Sequence, residues 1–319
     1  MQRERFGYKQ GIIGCEWAII APIVVSLLFA LIGVIYCNAN GLQADALNSN
    51  AVFMTLASAF TELSFLVVAL CIAWRSKTNF VAGAGLKVRT PWWTYIGAAV
   101  LSAVVLLLLN PIINCWQTLL QSAGHNGGSL PFAMDNAGSL ILGLVLFALL
   151  PAICEEALFR GVILNSLRKY GLVVSVGLSS LFFSLMHMNL LQIPYTLLLG
   201  IVLGLVVYFT RNLWLSVIMH FVNNGMVLII GYFSAEEYNF VWYDVLWGVG
   251  GLILFAGLVY LLYILLKKCF GNKTDEIERP MYEAEPTLDK KTRMKMWIAP
   301  LFVGIACLVI SILGGFGVI

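Results

Sequence analysis

The sequence predicts an all-α, polytopic membrane protein with about nine transmembrane helices. Three observations carry that prediction. Of 319 residues, 61% are hydrophobic and only 11% are charged, with a mean hydropathy of +0.91; a soluble domain carries roughly 25% charged residues. Apolar runs of span length recur along the whole chain. The basic residues are confined to alternate loops. Together these exclude the soluble classes.

The runs lie near residues 11–37, 51–74, 92–110, 138–160, 172–188, 195–210, 214–234, 243–266 and 296–318. A helix needs about 20 residues to cross the hydrocarbon core, so the shorter runs have the least defined ends. The stretch from Gly11 to Cys37 is too long for a signal peptide, and no A-x-A-like site follows it. With the N-terminus in the cytoplasm, Arg3, Arg5 and Lys9 lie inside. Arg75, Lys77, Lys87 and Arg89 follow the second span, Arg160, Arg168 and Lys169 the fourth, and Arg211 the sixth. The loop 267–295 holds the other eight, so all 19 Lys and Arg fall on one side. That asymmetry predicts an N-in, C-out arrangement. The net charge of +3 says little about partners; the asymmetry explains where the charge sits, the lipid bilayer is a partner, and no nucleic acid is called for.

The spans divide the chain into 1–137 (three spans and a loop), 138–234 (four spans) and 235–319 (two spans around the cytoplasmic loop 267–295). The segment 111–137 reads as an outside loop whose apolar start, PIINCWQTLLQ, lies on the membrane surface, with His125 solvated among glycines. The mixed charges and two prolines of 267–295 read as a surface linker. The seven cysteines are scattered, mostly within spans, without a C-x-x-C, and read as small apolar residues.

Ionisable groups inside spans are rare and energetically costly, so each is a functional candidate. They are Glu16, Glu62, Glu155, Glu156, His187, His220 and Asp244. On a helix, Glu156 and Arg160 stand four apart and share a face, which places them to pair. Glu155 points about 100° away from Glu156 and has no local partner, so it is the carboxylate free to take a proton from water. Phe183 and His187 share a face, as do His220 and Asn224; Asn223 faces away, which makes Asn224 the expected partner of His220. Imidazole is a proton-transfer group and a metal ligand near neutral pH, and His with Asn can donate to a developing oxyanion. Glu16 and Glu62 read as structural or cavity-lining.

The stretches EEALFR, FSLMH and HFVNN match E-E-x-x-x-R, F-x-x-x-H and H-x-x-x-N, in that order. With these motifs the chain resembles the CAAX-processing and bacteriocin-processing (CPBP, or Abi) intramembrane proteases. That family includes the type II CAAX prenyl endopeptidase and proteins similar to lysostaphin resistance protein A. The resemblance covers about 145 to 230. It implies an all-helical core enclosing a polar intramembrane cavity, and peptide-bond hydrolysis in a membrane-associated protein or peptide. Glu155 would activate water, His187 would help hold it, and His220 with Asn224 would stabilise the oxyanion. Glu156 belongs to the motif, with Arg160 and Phe183 in support. The resemblance leaves the cofactor open: none, or a divalent metal such as zinc held by Glu155, His187 and His220, with a fourth position free.

By these spans Glu155 lies near the inner end of its helix, whereas His187 is roughly 22 Å and His220 about 10 Å from the inner starts of theirs. One site requires these depths to converge. A fourth span that continues through GVILNSL inside the membrane would bring them together. The H-E-x-x-H, G-x-G-D and G-x-S-G-V-like patterns of other intramembrane proteases are absent. Two other functions fit the same polar groups: an ion-coupled transporter with Glu62, Glu155 and His187 as a proton relay, and a catalytically idle immunity or scaffold protein of the same fold. The transporter predicts an inverted repeat, which the sequence lacks. The compact length and the want of a targeting peptide point to a bacterial plasma membrane.

Overall fold

Hydrocarbon offers backbone amides no hydrogen-bond partner, so an apolar chain satisfies them within helices. A computed structural model describes residues 5–43, 46–47, 50–125, 134–233, 243–271 and 297–315, and every regular element among them is helical. The elements are α1 (Tyr8–Ala39), α2 (Ala51–Ser76), the short α3 (Phe80–Gly83) and α4 (Trp93–Ser122). Then come α5 (Ala137–Tyr170), α6 (Leu172–Leu185), α7 (Ile193–Thr210) and α8 (Leu213–Phe233). The last two are α9 (Tyr243–Leu266) and α10 (Ile298–Gly315). Among the described residues seven helices are long and apolar enough to cross a membrane, and two shorter apolar ones, α6 and α10, accompany them. The chain is a multi-pass membrane protein.

Three boundaries differ from the sequence reading, each for a physical reason. The fourth span does not end at Arg160 but runs on to Tyr170 as one helix of 34 residues. The charges expected to end it are satisfied inside the protein. Arg160 pairs with Glu156, and the Arg168 guanidinium donates to the carbonyls of Val207 and Tyr208 at the end of α7. The helix stops at Gly171, whose φ of +88° is a left-handed conformation that glycine adopts without strain.

The fifth run is cut short. α6 has 14 residues, about 21 Å of helix against a core of about 30 Å. His187 therefore lies in the turn beyond it, and Met188 follows with a φ of 46°. The third run, in turn, is longer than expected. α4 carries Pro111 within it and continues to Ser122, so PIINCWQTLLQ is transmembrane-helix sequence and not a surface loop. His125 is buried rather than solvated. The loop residues 126–133, most of the linker (272–296) and the side chain of Asp244 lie outside the described residues.

α5 packs against α1, α2, α6 and α8. It is not uniform. Leu144–Leu149 and Ala157–Leu164 follow the wider π pitch and flank an α-helical Leu150–Glu156. Such turns change the rotation of everything that follows and frequently occur at functional sites. Both glutamates sit at the junction. Serine hydroxyls tie the surrounding helices together, as Ser179 Oγ donates to the Phe159 carbonyl (2.9 Å) and Ser102 Oγ to that of Met219 (2.6 Å). The second of these fixes α8 one residue before His220.

Candidate active site

Arg160 is fully buried. Its Nη1 donates to Glu156 Oε1 at 2.7 Å, and neither side chain is exposed. A pair taken this far out of water calls for acceptors for its remaining hydrogens; Arg160 Nε has none among the described residues. Nη2 finds the Gly200 carbonyl on α7 at 3.2 Å, and the guanidinium stacks 4.3 Å above the Phe183 ring. Gly200 makes this possible by close approach: a Cβ there would meet Ser180 Cβ at 3.1 Å and Phe183 Cδ1 at 3.3 Å.

His220, on α8, enters from the opposite side. Its Nδ1 lies 3.0 Å from the same Glu156 Oε1. A carboxylate oxygen paired to arginine accepts, so Nδ1 donates, and the ring is held with Nε2 directed away. That nitrogen is 3.7 Å from Glu155 Oε2, too far for a direct hydrogen bond. Glu155 is 3% exposed, and its Oε2 is enclosed without a hydrogen-bond partner among the described residues. Glu156 thus does more than the helical spacing predicts: it orients the histidine as well as pairing with Arg160.

His187 Nδ1 lies 2.8 Å from the Phe183 carbonyl. A carbonyl only accepts, so Nδ1 carries the hydrogen and Nε2 is the free position of the neutral ring. The two imidazoles flank one ring, His187 at 5.2 Å and His220 at 5.6 Å from the Phe183 centroid, both edge-to-face. Phe183 is accordingly the wedge that sets their separation.

Asn224 does not bond to His220, whose Nδ1 is taken by Glu156. Its Nδ2 donates to the Phe147 carbonyl at 3.4 Å, and its Oδ1 accepts from Asn223 at 3.3 Å. One amide hydrogen of Asn224 is left over. Asn223, set aside on helical geometry, is fully buried and acts by holding its neighbour. Glu62, read as structural or cavity-lining, lies in the middle of α2 with its Oε2 enclosed and without a hydrogen-bond partner among the described residues. Glu16 lies next to Cys15 on α1 instead.

Glu155, His187 and His220 do not form a ligand set. Among the described residues no three His, Cys, Asp or Glu side chains are placed to hold a metal ion. The arrangement offers a carboxylate and two imidazoles that can act on a water.

Residues 137–226 match the family model for type II CAAX prenyl endopeptidase Rce1-like proteins. The match begins with α5, ends two residues past Asn224 and contains Glu155, Glu156, Arg160, Phe183, His187, His220 and Asn224. No curated protein and no solved structure matches the chain.

Proposed function

We propose, on the premise that this multi-pass membrane protein carries an Rce1-like domain of the CAAX protease family, that it is a glutamate-dependent intramembrane endopeptidase. The observation that carries the reading is the enclosed, partnerless Oε2 of Glu155 facing His220 Nε2 across 3.7 Å. In this reading one water bridges the two atoms.

In this reading Glu155 takes a proton from that water as its oxygen attacks the substrate carbonyl, and returns the proton to the departing amine nitrogen. Nε2 of His187 accepts the second hydrogen of the water. The spare amide hydrogen of Asn224 donates to the carbonyl oxygen as it gains charge, with the His220 ring beside it. Glu156 and Arg160 keep the His220 ring in place, as a buried carboxylate does for histidine in hydrolytic triads.

The substrate is a membrane-associated protein or peptide, cut near its C-terminus or close to the membrane. A prenylated C-terminal segment or a secreted peptide precursor has this form. The charge asymmetry supports an N-in, C-out orientation in a bacterial plasma membrane, with entry from the cytoplasm or inner leaflet.

The test is a peptidase assay on detergent-purified protein against a mixed peptide library, wild type beside Glu155→Gln, with metal content measured on the same samples. Cleavage by the wild type alone is expected. Cleavage that persists in Glu155→Gln refutes the glutamate mechanism. Proton flux into liposomes without cleavage by either protein would replace the protease with the transporter.

A further inference from the structure

We infer that Trp116 is a positioning residue for His187, holding from α4 the turn on which that histidine sits. The inference rests on the protease reading for its consequence and on hydrogen bonding for its geometry. α6 ends at Leu185, so the backbone of His187 is not carried within a helix. Its amide reaches the Ser184 carbonyl at 3.3 Å, and the next residue, Met188, takes a φ of 46°. A left-handed residue other than glycine persists only where its surroundings over-determine it. The base of the turn is tied within the α6–α7 hairpin: Ser184 Oγ donates to the Ile193 carbonyl at 2.7 Å, and Thr196 Oγ1 to Ser184 Oγ at 3.1 Å.

The tip of the turn is tied from outside that hairpin. Trp116 Nε1 donates to the Leu190 carbonyl at 2.9 Å. That carbonyl is open to such a bond because the residue four further on is Pro194, which has no N–H to donate. The Asn189 carbonyl already takes the amides of Gln192 and Ile193. Trp116 belongs to the stretch of α4 past Pro111, and α9 backs that stretch closely. A Cβ on Gly248 would meet Cys115 Cβ at 3.1 Å, and one on Gly251 the Leu108 carbonyl oxygen at 3.0 Å. The packed α4–α9 pair thus holds the turn, and through it the place from which His187 Nε2 faces the reacting water. None of the three motifs includes Trp116.

Trp116→Phe keeps an aromatic ring and removes the donor. It is expected to lower kcat about tenfold with little change in KM, the cost of a misplaced reacting group. In a His187→Ala background the same substitution is expected to cost nothing further. Wild-type kcat in Trp116→Phe, a loss carried by KM, or losses that multiply in the double variant overturn the inference. The chain has three histidines, so ring nitrogen NMR spectra of histidine-labelled protein in detergent read the geometry without catalysis. Trp116→Phe is expected to shift or broaden the His187 signals and to leave those of His220, carried by α8, in place. Unchanged His187 signals, or equal changes at both rings, overturn the inference. A wild type that cleaves nothing fails the protease reading alone, since the spectra still decide whether Trp116 holds His187.

Discussion

The two faces that α5 presents at the site follow opposite rules. Toward α7 and α8, Glu156 is committed: a single oxygen accepts from Arg160 at 2.7 Å and sits 3.0 Å from His220 Nδ1. Glu155, by contrast, keeps an oxygen 3.7 Å from His220 Nε2 that no described residue satisfies. Adjacent residues of one type, equally buried, thus differ in what surrounds them. Each keeps one oxygen without a partner among the described residues, but the other oxygen of Glu156 holds a guanidinium and an imidazole N–H, which makes it a structural charge and leaves Glu155 available for chemistry. Adjacency puts the two on different faces of the helix, and this lets one stretch of chain serve both purposes.

The comparison breaks most sharply at Glu155. Glu155→Gln keeps the size and a hydrogen-bonding group but removes the base. Turnover should fall by about 10²- to 10⁴-fold while the unfolding midpoint in detergent stays close to that of the wild type. If the midpoint falls as far as turnover does, the Glu155 face is structural too. Arg160→Met probes the other face. It strands the Glu156 charge at a fully buried position, and unfolding should become easier by about 3–5 kcal/mol. Adding Glu156→Gln to that variant should restore part of the loss, because the orphaned charge is gone.

Gly200→Leu asks whether the committed face tolerates displacement. The side chain would press on Ser180 and Phe183, at an expected cost of about 1–3 kcal/mol for overpacking. Activity should fall as well, because Phe183 carries both histidine rings. The smallest effect belongs to a residue on neither face. Ile253 on α9 is 67% exposed, toward lipid in this reading. Ile253→Val should change stability by less than about 0.5 kcal/mol and leave turnover unaltered. A larger change there would mean that α9 takes part in the core.

The sequence by itself determined whatever depends on composition or on spacing along one helix. Low charge and long apolar runs dictate membrane helices, because hydrocarbon leaves the backbone no other partner. The four-residue step from Glu156 to Arg160 dictates their ion pair. The order of the three motifs marks spans whose residues 137–226 the family match covers. Tertiary structure decided what depends on one helix facing another. The fourth span continues past its charges because α7 supplies carbonyls to Arg168, and this sets Glu155 near the middle of the helix and not at its inner end. His220 turns to Glu156 and not to Asn224, because π turns and close helix approach fix rotations and depths. A periodic pattern read along one segment carries no information about those. Spacing fixes neighbours three and four residues apart, whereas contacts between residues 64 or more apart, such as Glu156 with His220, exist only once the helices have packed.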